Sequence, residues 1–276
     1  ALSSAASDVY KRQAFDYIGE ASIGWCGYPL DKRIFPWNHA NCGDLNLSGE
    51  RRPQSYLRET LWSDAPVSHI VVTPPVPSFP LNPDKADWSV WDFPDVVDHW
   101  NFPGYEGKKM TVSVYSNCEQ VELFLNGESL GKQENTADKK NTLVWEVPYA
   151  HGILKAVSYN KGGEVGTATL ESAGKVEKIR LSADRTEIVA DGNDLSYITL
   201  ELVDSKGIRN QLAEELVEFS IEGDATIEGV GNANPMSIES FVANSRKTWR
   251  GSNLLVVRSG KSSGPVSYTH LRAHET

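Results

Sequence analysis

Cysteine is scarce in this chain and odd in number, with only Cys26, Cys42 and Cys118. Their spacing matches neither a disulfide framework nor a zinc site. Cys26 and Cys42 share one loop-like stretch, so a bond between them stays open and the redox compartment is not fixed. No run of 18 apolar residues occurs, which excludes a transmembrane helix. Basic residues are outnumbered, 27 Lys and Arg against 37 Asp and Glu, for a net charge of -10. Such a surface repels phosphate and excludes a nucleic-acid partner. Neither sign of charge forms a long block, so no interaction tail is expected. Gly-rich phosphate loops and Ser/His/Asp arrangements are absent. His39, His69, His99 and His151 are scattered without ligand spacing. His270 and His274 stand four apart, but no HExxH-type acid lies between them. No metal and no cofactor is therefore implied.

What is present is ordinary globular composition: 276 residues, 39% hydrophobic and 23% charged, enough for two or three domains. The two ends stand apart. Residues 7–13 and 266–276 resemble translated sequencing-adapter read-through, so 1–13 (expected disordered) and 266–276 are set aside as foreign tails. The chain opens on Ala, not Met, so the lack of a secretory signal carries no weight.

Along the rest, Ala14 to Trp25 reads as a strand and the loop after it. Residues 26–52 have loop composition, rich in Gly, Pro, Asn and Asp. Pro53 suits a first helical turn. Tyr56, Leu57, Thr60 and Leu61 then mark one face of a short helix ending near Trp62. Ile70-Val71-Val72 is a short strand, and Pro74, Pro75, Pro77, Pro80 and Pro83 make a stiff connector. Trp88, Trp91, Phe93, Trp100 and Phe102 follow, too many aromatics to leave exposed. Trp88, Trp91 and Trp100 read as packing between the connector's two neighbours.

From Lys108 the period becomes two. Val112 and Val114 alternate inward, as do Val121, Leu123 and Leu125, then Leu143, Trp145 and Val147, then Leu154 and Ala156. Asn126-Gly127 supplies a type I′ hairpin turn, since both central residues need positive φ. Lys161-Gly162-Gly163 turns into a last strand from Val165 to Leu170. Six or so strands in about 65 residues indicate a small antiparallel sandwich. A second series begins near Val176, with Ile179 and Leu181, Ile188 and Val189, Ile198 to Leu202, Val217 to Ile221 and Leu254 to Val257. Gly229-Val230-Gly231 lacks the third glycine of a dinucleotide loop and reads as a tight turn. A dozen buried Val, Leu and Ile residues, each contributing roughly 1.5–3 kcal/mol, suffice for this second sandwich to fold alone.

Three ordered groups of residues now resemble a known family. Phe15-Asp16-Tyr17-Ile18-Gly19-Glu20-Ala21, Cys42-Gly43-Asp44-Leu45-Asn46-Leu47-Ser48-Gly49 and Arg52-Pro53-Gln54-Ser55-Tyr56 resemble the end of the catalytic barrel of glycoside hydrolase family 2, in its bacterial β-galactosidase branch. His99-Trp100-Asn101-Phe102-Pro103-Gly104, Val114 to Cys118 and Val121 to Gly127 resemble the accessory sandwich after it. Gly229 to Pro235 resembles a motif of a terminal immunoglobulin-like domain. The resemblance implies a mainly β chain: two immunoglobulin-like antiparallel β-sandwiches preceded by the last strand and helix of a truncated (β/α)8 barrel. The expected organisation is a barrel remnant at 14–72, a Pro/Trp-rich connector at 73–107, a first sandwich at 108–172 and a second at 173–265.

It also implies a retaining glycosidase, which works with two carboxylates about 5 Å apart. In the family both glutamates lie on earlier barrel strands, so no catalytic residue is assigned here and the chain itself is expected to be inactive. Asp16 and Glu20 border the barrel mouth. On one extended strand they are over about 10 Å apart, too far for a catalytic pair. They are substrate-contact candidates, together with Trp25 and Trp37 as stacking surfaces for a sugar ring. The substrate implied for the parent enzyme is a β-galactoside or related oligosaccharide, and the oligomeric state stays open. A carbohydrate-binding module is an alternative motivated by the aromatic content. An adhesin-like immunoglobulin array would fit 176–264 alone, but not the strand at 14–20 or the helix at 53–62.

Overall fold

The computed structural model describes residue 36, residues 44–79 and residues 94–272. Contacts divide the chain into two compact units, one of residues up to Asn46 with Glu50–Ser172, the other of Leu47–Gly49 with Ala173 onward. The described residues are mainly β, with antiparallel sheets and one α-helix; no helix among them is long and apolar enough to cross a membrane. The barrel strand expected at 14–20 lies outside the described residues.

The first unit contains α1 (Ser55–Trp62), β1 (Ser68–Val72), β2 (Lys109–Ser116), β3 (Gln120–Leu125), β4 (Glu128–Glu134), β5 (Thr142–Pro148), β6 (Ile153–Asn160) and β7 (Gly163–Glu171). One sheet runs β1-β2-β5 and the other β4-β3-β6-β7. Alternation decides what each strand buries. Val112 and Val114 of β2, Val121 and Leu123 of β3, Leu143, Trp145 and Val147 of β5, and Leu154 and Ala156 of β6 enter one shared core. Their neighbours in sequence face outward, as period two requires. Asn126 and Gly127 adopt φ of 52° and 87°, the left-handed pair that a two-residue hairpin needs. β4 has no apolar alternation of its own. It is an edge strand, set by the hairpin register that lays Gln120 opposite Glu134 and Leu125 opposite Glu128.

Two expectations need correction here. β1, placed with the barrel remnant, is instead an edge strand of this unit, with Ser68–Val72 paired to Val112–Ser116. Ile70 and Val72 turn into the shared core, while Val71 faces the other way with Val96 and Tyr115. The end of the stretch read as a connector is also core. Val97 exchanges main-chain hydrogen bonds with Val72 at 2.8 and 2.9 Å, and Trp100 is 0% exposed. Trp100 therefore packs within this unit. Its ring meets Tyr149 at 5.0 Å and Phe102 at 6.0 Å, both edge-on, and its Nε1 donates to the Ala150 carbonyl at 2.9 Å. Trp88 and Trp91 lie outside the described residues. Among the described residues α1 lays Tyr56 and Leu57 on Val71, Val96 and Tyr115, because the first sheet leaves those side chains on its outer face.

The second unit contains β8 (Lys178–Ala183), β9 (Leu195–Val203), β10 (Leu216–Glu222), β11 (Ala225–Gly231), β12 (Ser245–Lys247), β13 (Ser252–Ser259) and β14 (Ser267–Arg272). Its sheets run β11-β13-β9-β8 and β12-β10-β14. Ile198, Leu200 and Leu202 of β9, Val217 and Phe219 of β10, Val230 of β11, and Leu255 and Val257 of β13 share one core.

Gly229-Val230-Gly231 is not a tight turn. These residues end β11, opposite Val256, Leu255 and Leu254, after a register shift between Ile227 and Gly229. A bulge with glycine beside it looks like a turn in sequence, since both suppress alternation. Ile188 and Val189 form no strand; the Val189 N–H donates to the Asp194 carboxylate in a loop. Arg246, 1% exposed, donates to the carbonyls of Val230 and Glu239 and to Ser237 Oγ, and lies over the Phe241 ring at 4.3 Å. It thereby fixes the loop that β11 leads into. The tail set aside at 266–276 supplies β14, which pairs with β10 along six residues.

Gly251 shows where backbone freedom is required. It follows Arg250 in a left-handed pair, with φ of 70° and 50°. A Cβ on Gly251 would stand 2.3 Å from the Asn210 carbonyl oxygen. Gly251→Ala is expected to lower stability by about 1–3 kcal/mol. Chemical denaturation checks this; an unchanged midpoint would contradict it.

Candidate functional site

Asp16, Glu20, Trp25 and Trp37, the residues the sequence offers for substrate contact, lie outside the described residues, as do Cys26 and Cys42. The described part of the same motif groups is the loop and helix from Asp44 to Trp62. Its geometry is set by short-range pairing. The Asn46 N–H donates to the Glu50 carbonyl at 2.9 Å and the Arg52 N–H to the Asp44 carbonyl at 2.8 Å. Asn46 Nδ2 reaches Glu50 Oε2 at 3.0 Å, and the Glu50 N–H returns to Asn46 Oδ1 at 3.0 Å. The chain closes this small loop through a bridge between Leu45 and Arg51.

The helix then fastens the loop. Arg58 Nη1 meets Asp44 Oδ1 at 2.9 Å, with both side chains half-buried. Arg51 Nη1 meets Glu59 at 2.7 Å, and its Nε donates to Ser55 Oγ at 3.0 Å. The guanidinium also lies 3.8 Å above the Tyr56 ring, and Tyr56 stacks on His69 of β1 at 3.5 Å and 11°. Arg51, Tyr56 and His69 thus form a continuous stack from loop to helix to sheet.

Burial holds the His69 pKa down at about 4, and Arg51 acts in the same direction; Asp98 and Glu59 pull it up less strongly. His69 Nε2 is buried without a hydrogen-bond partner. A neutral imidazole suits this place, because protonation would set a largely desolvated charge beside the Arg51 cation. The stack offers a rigid mount and no proton relay. Among the described residues, no group of three or more His, Cys, Asp or Glu side chains could hold a metal ion.

In the sequence His69 was weighed only as a metal ligand, and Arg51 did not stand out. They stand eighteen positions apart, and no periodicity joins a loop arginine to a strand histidine. His69 alternates with Ile70 on β1 and so faces α1, which is visible only once β1 is known to be an edge strand of the first sheet.

Comparison with known proteins places this geometry in context. A profile described as glycoside hydrolase family 2 C-terminal domain 5 matches residues 179–272. A second, described as a domain of unknown function (DUF4982), matches residues 107–166. The crystal structure of a glycosyl hydrolase family 2 member from Bacteroides cellulosilyticus is 92% identical, with a TM-score of 0.85 over 93% of this chain and 35% of that chain. Beta-galactosidase BoGH2A of Bacteroides ovatus is 31% identical over 265 residues, 95% of this chain and 27% of that protein. A beta-glucuronidase of Formosa agariphila is 31% identical over 190 residues, 66% of this chain and 18% of that protein. The chain thus spans about a quarter of the length of the first of these curated relatives.

Proposed function

The chain belongs to glycoside hydrolase family 2, in the C-terminal region of its members, and from that premise we propose that it is the non-catalytic end of a retaining β-galactosidase-like enzyme. The observation that carries this reading is the consumption of polar groups in the loop and helix at 44–62. Asp44 is held by Arg58, Glu59 by Arg51 and Glu50 by Asn46, so these carboxylates are committed to shaping the loop. A retaining glycosidase needs two carboxylates about 5 Å apart with one available to accept and return a proton. We place that pair in the part of the longer protein that precedes this sequence. In the same reading, residues 14–67, ahead of β1, complete a catalytic barrel, with Asp16, Glu20, Trp25 and Trp37 near its sugar site. Each of the two units described above is an immunoglobulin-like sandwich.

The substrate proposed for the whole enzyme is a terminal β-galactoside, cleaved by double displacement. The named relatives include a β-galactosidase and a β-glucuronidase, which differ in whether the sugar carries a carboxylate. The sandwich cores take their aromatic residues inward, Trp100, Trp145, Tyr149 and Phe219 among them. A separate carbohydrate-binding module is therefore the weaker reading.

The test uses two chromogenic substrates, a β-galactoside and a β-glucuronide. The chain alone is expected to turn over neither. The same sequence joined to a family 2 catalytic portion is expected to hydrolyse the galactoside preferentially. Turnover by the chain alone would refute the non-catalytic assignment, and preference for the glucuronide would refute the substrate.

A further inference from the structure

β10 has two unequal neighbours. On one side only three residues pair with it, with Leu216, Val217 and Glu218 opposite Lys247, Arg246 and Ser245 of β12. On the other side β14 runs along six, from Val217 opposite Arg272 to Glu222 opposite Ser267. The Phe219 N–H is turned to the first side, where it donates to the Asn244 carbonyl at 2.7 Å. Main-chain polar groups alternate along a strand, so Glu218, Ser220 and Glu222 present theirs to the β14 side. Without a neighbour, that row of donors and acceptors would stand as an open sheet edge.

The approach to this edge is shaped by the backbone. Gly223 follows β10 with φ of 110°, and a Cβ there would lie 2.6 Å from the Pro265 carbonyl oxygen and 3.1 Å from Val266 Cα. The incoming chain thus passes directly over a glycine.

Residues opposite one another in an antiparallel pair share a face. Val217 and Phe219 are buried, and Ile221 packs against the same core. The register sets Arg272, His270 and Tyr268 opposite these three. Tyr268 packs against the core cluster. The other two positions on that face hold residue types that carry little apolar surface into a core. β14 belongs to the tail whose sequence stands apart from the rest of the chain. A polar residue type at two of three core-face positions marks a strand that fits the edge through its backbone more than through its sequence.

We propose that the outer edge of β10 is a strand-acceptor slot. It takes a six-residue extended segment, antiparallel, that is apolar at its second, fourth and sixth residues. Those residues fall opposite Ile221, Phe219 and Val217. In this chain Ser267–Arg272 fills the slot in cis, and a peptide of the stated pattern fills it in trans when that segment is withdrawn. The recognition is β-augmentation: main-chain hydrogen bonds give the pairing and alternate apolar side chains give the selectivity.

Two measurements on the full-length chain test this. The double variant His270→Val with Arg272→Val is expected to raise the Tm by at least about 4 °C, while the corresponding double threonine variant, equally β-prone but polar, gains less than half as much. Equal gains, or no gain from valine, would overturn the apolar preference. In the second measurement Thr269→Pro withdraws β14 by removing a ladder donor. A fluorescein-labelled hexapeptide with valine at positions two, four and six is expected to bind this variant, by anisotropy, at least about tenfold more tightly than one with threonine there. Equal affinities, or no binding to a folded variant, would overturn the slot. If the proline variant fails to fold, the valine and threonine pair in cis decides.

Discussion

Trp100→Ala is expected to cost about 3–5 kcal/mol, a large share of what a unit of this size has to lose. Three contributions are removed together. The indole fills the first core completely, being 0% exposed. It is one of three mutually edge-on rings with Phe102 and Tyr149. Its Nε1 satisfies the Ala150 carbonyl. The position also fastens the chain at both ends of the unit. The Trp100 carbonyl accepts from Ser172 Oγ, and the Phe102 N–H donates to the Tyr149 hydroxyl at 3.0 Å. Urea denaturation measures the loss. Trp62→Ala, at a side chain 45% exposed at the end of α1, is the control and should cost no more than about 1 kcal/mol. Similar losses at both positions would show that Trp100 is not the keystone described. Trp100→Phe should fall between the two, since it restores much of the volume and leaves the carbonyl unpaired.

Acid should weaken the first unit through His69. Its folded pKa of about 4 lies below the ordinary 6.5, because burial opposes the charged form. Between those values the unfolded chain binds a proton that the folded chain does not. Stability from this residue is therefore complete above about pH 6.5 and is lost as pH falls toward 4, by about 3 kcal/mol in all. His69→Phe isolates the effect. Phenylalanine keeps a ring for Tyr56 to stack on and cannot titrate, and His69 Nε2 has no hydrogen bond to forfeit. The native chain should lose about 3 kcal/mol more than the variant between pH 7 and pH 4. Parallel pH profiles would rule out His69 as the origin. Other carboxylates titrate over the same range in both proteins and cancel in the difference.

Much of the architecture was legible in the residues because it rests on local rules. β3 and β5 alternate, β2 and β6 do so over their first residues, and all four place in or against the core the apolar side chains that the pattern assigned to it. The hairpin at Asn126-Gly127 follows from the left-handed conformations those two residues tolerate. What escaped was non-local or polar. β4 carries no apolar stripe and exists because β3 and a tight turn dictate its register. β11 was hidden by a bulge and two glycines. β12 is three residues long, and β14 lies in a tail set aside for its resemblance to adapter read-through. The Arg51, Tyr56 and His69 stack joins three elements that no spacing connects.

By itself the sequence determined the material of this protein: antiparallel strands, where they turn, and which side chains leave water, since alternation and turn chemistry act within a few residues. Tertiary structure alone decided partnership. It assigned β1 to the first sheet rather than to a preceding domain, turned Trp100 into that unit's core, and joined a loop arginine through Tyr56 to a half-buried histidine. It also gave β10 the strand at its outer edge. The physical reason is that backbone groups and apolar faces must all be satisfied, and any strand of compatible pattern can do so. The choice among them is settled only when the whole chain has packed.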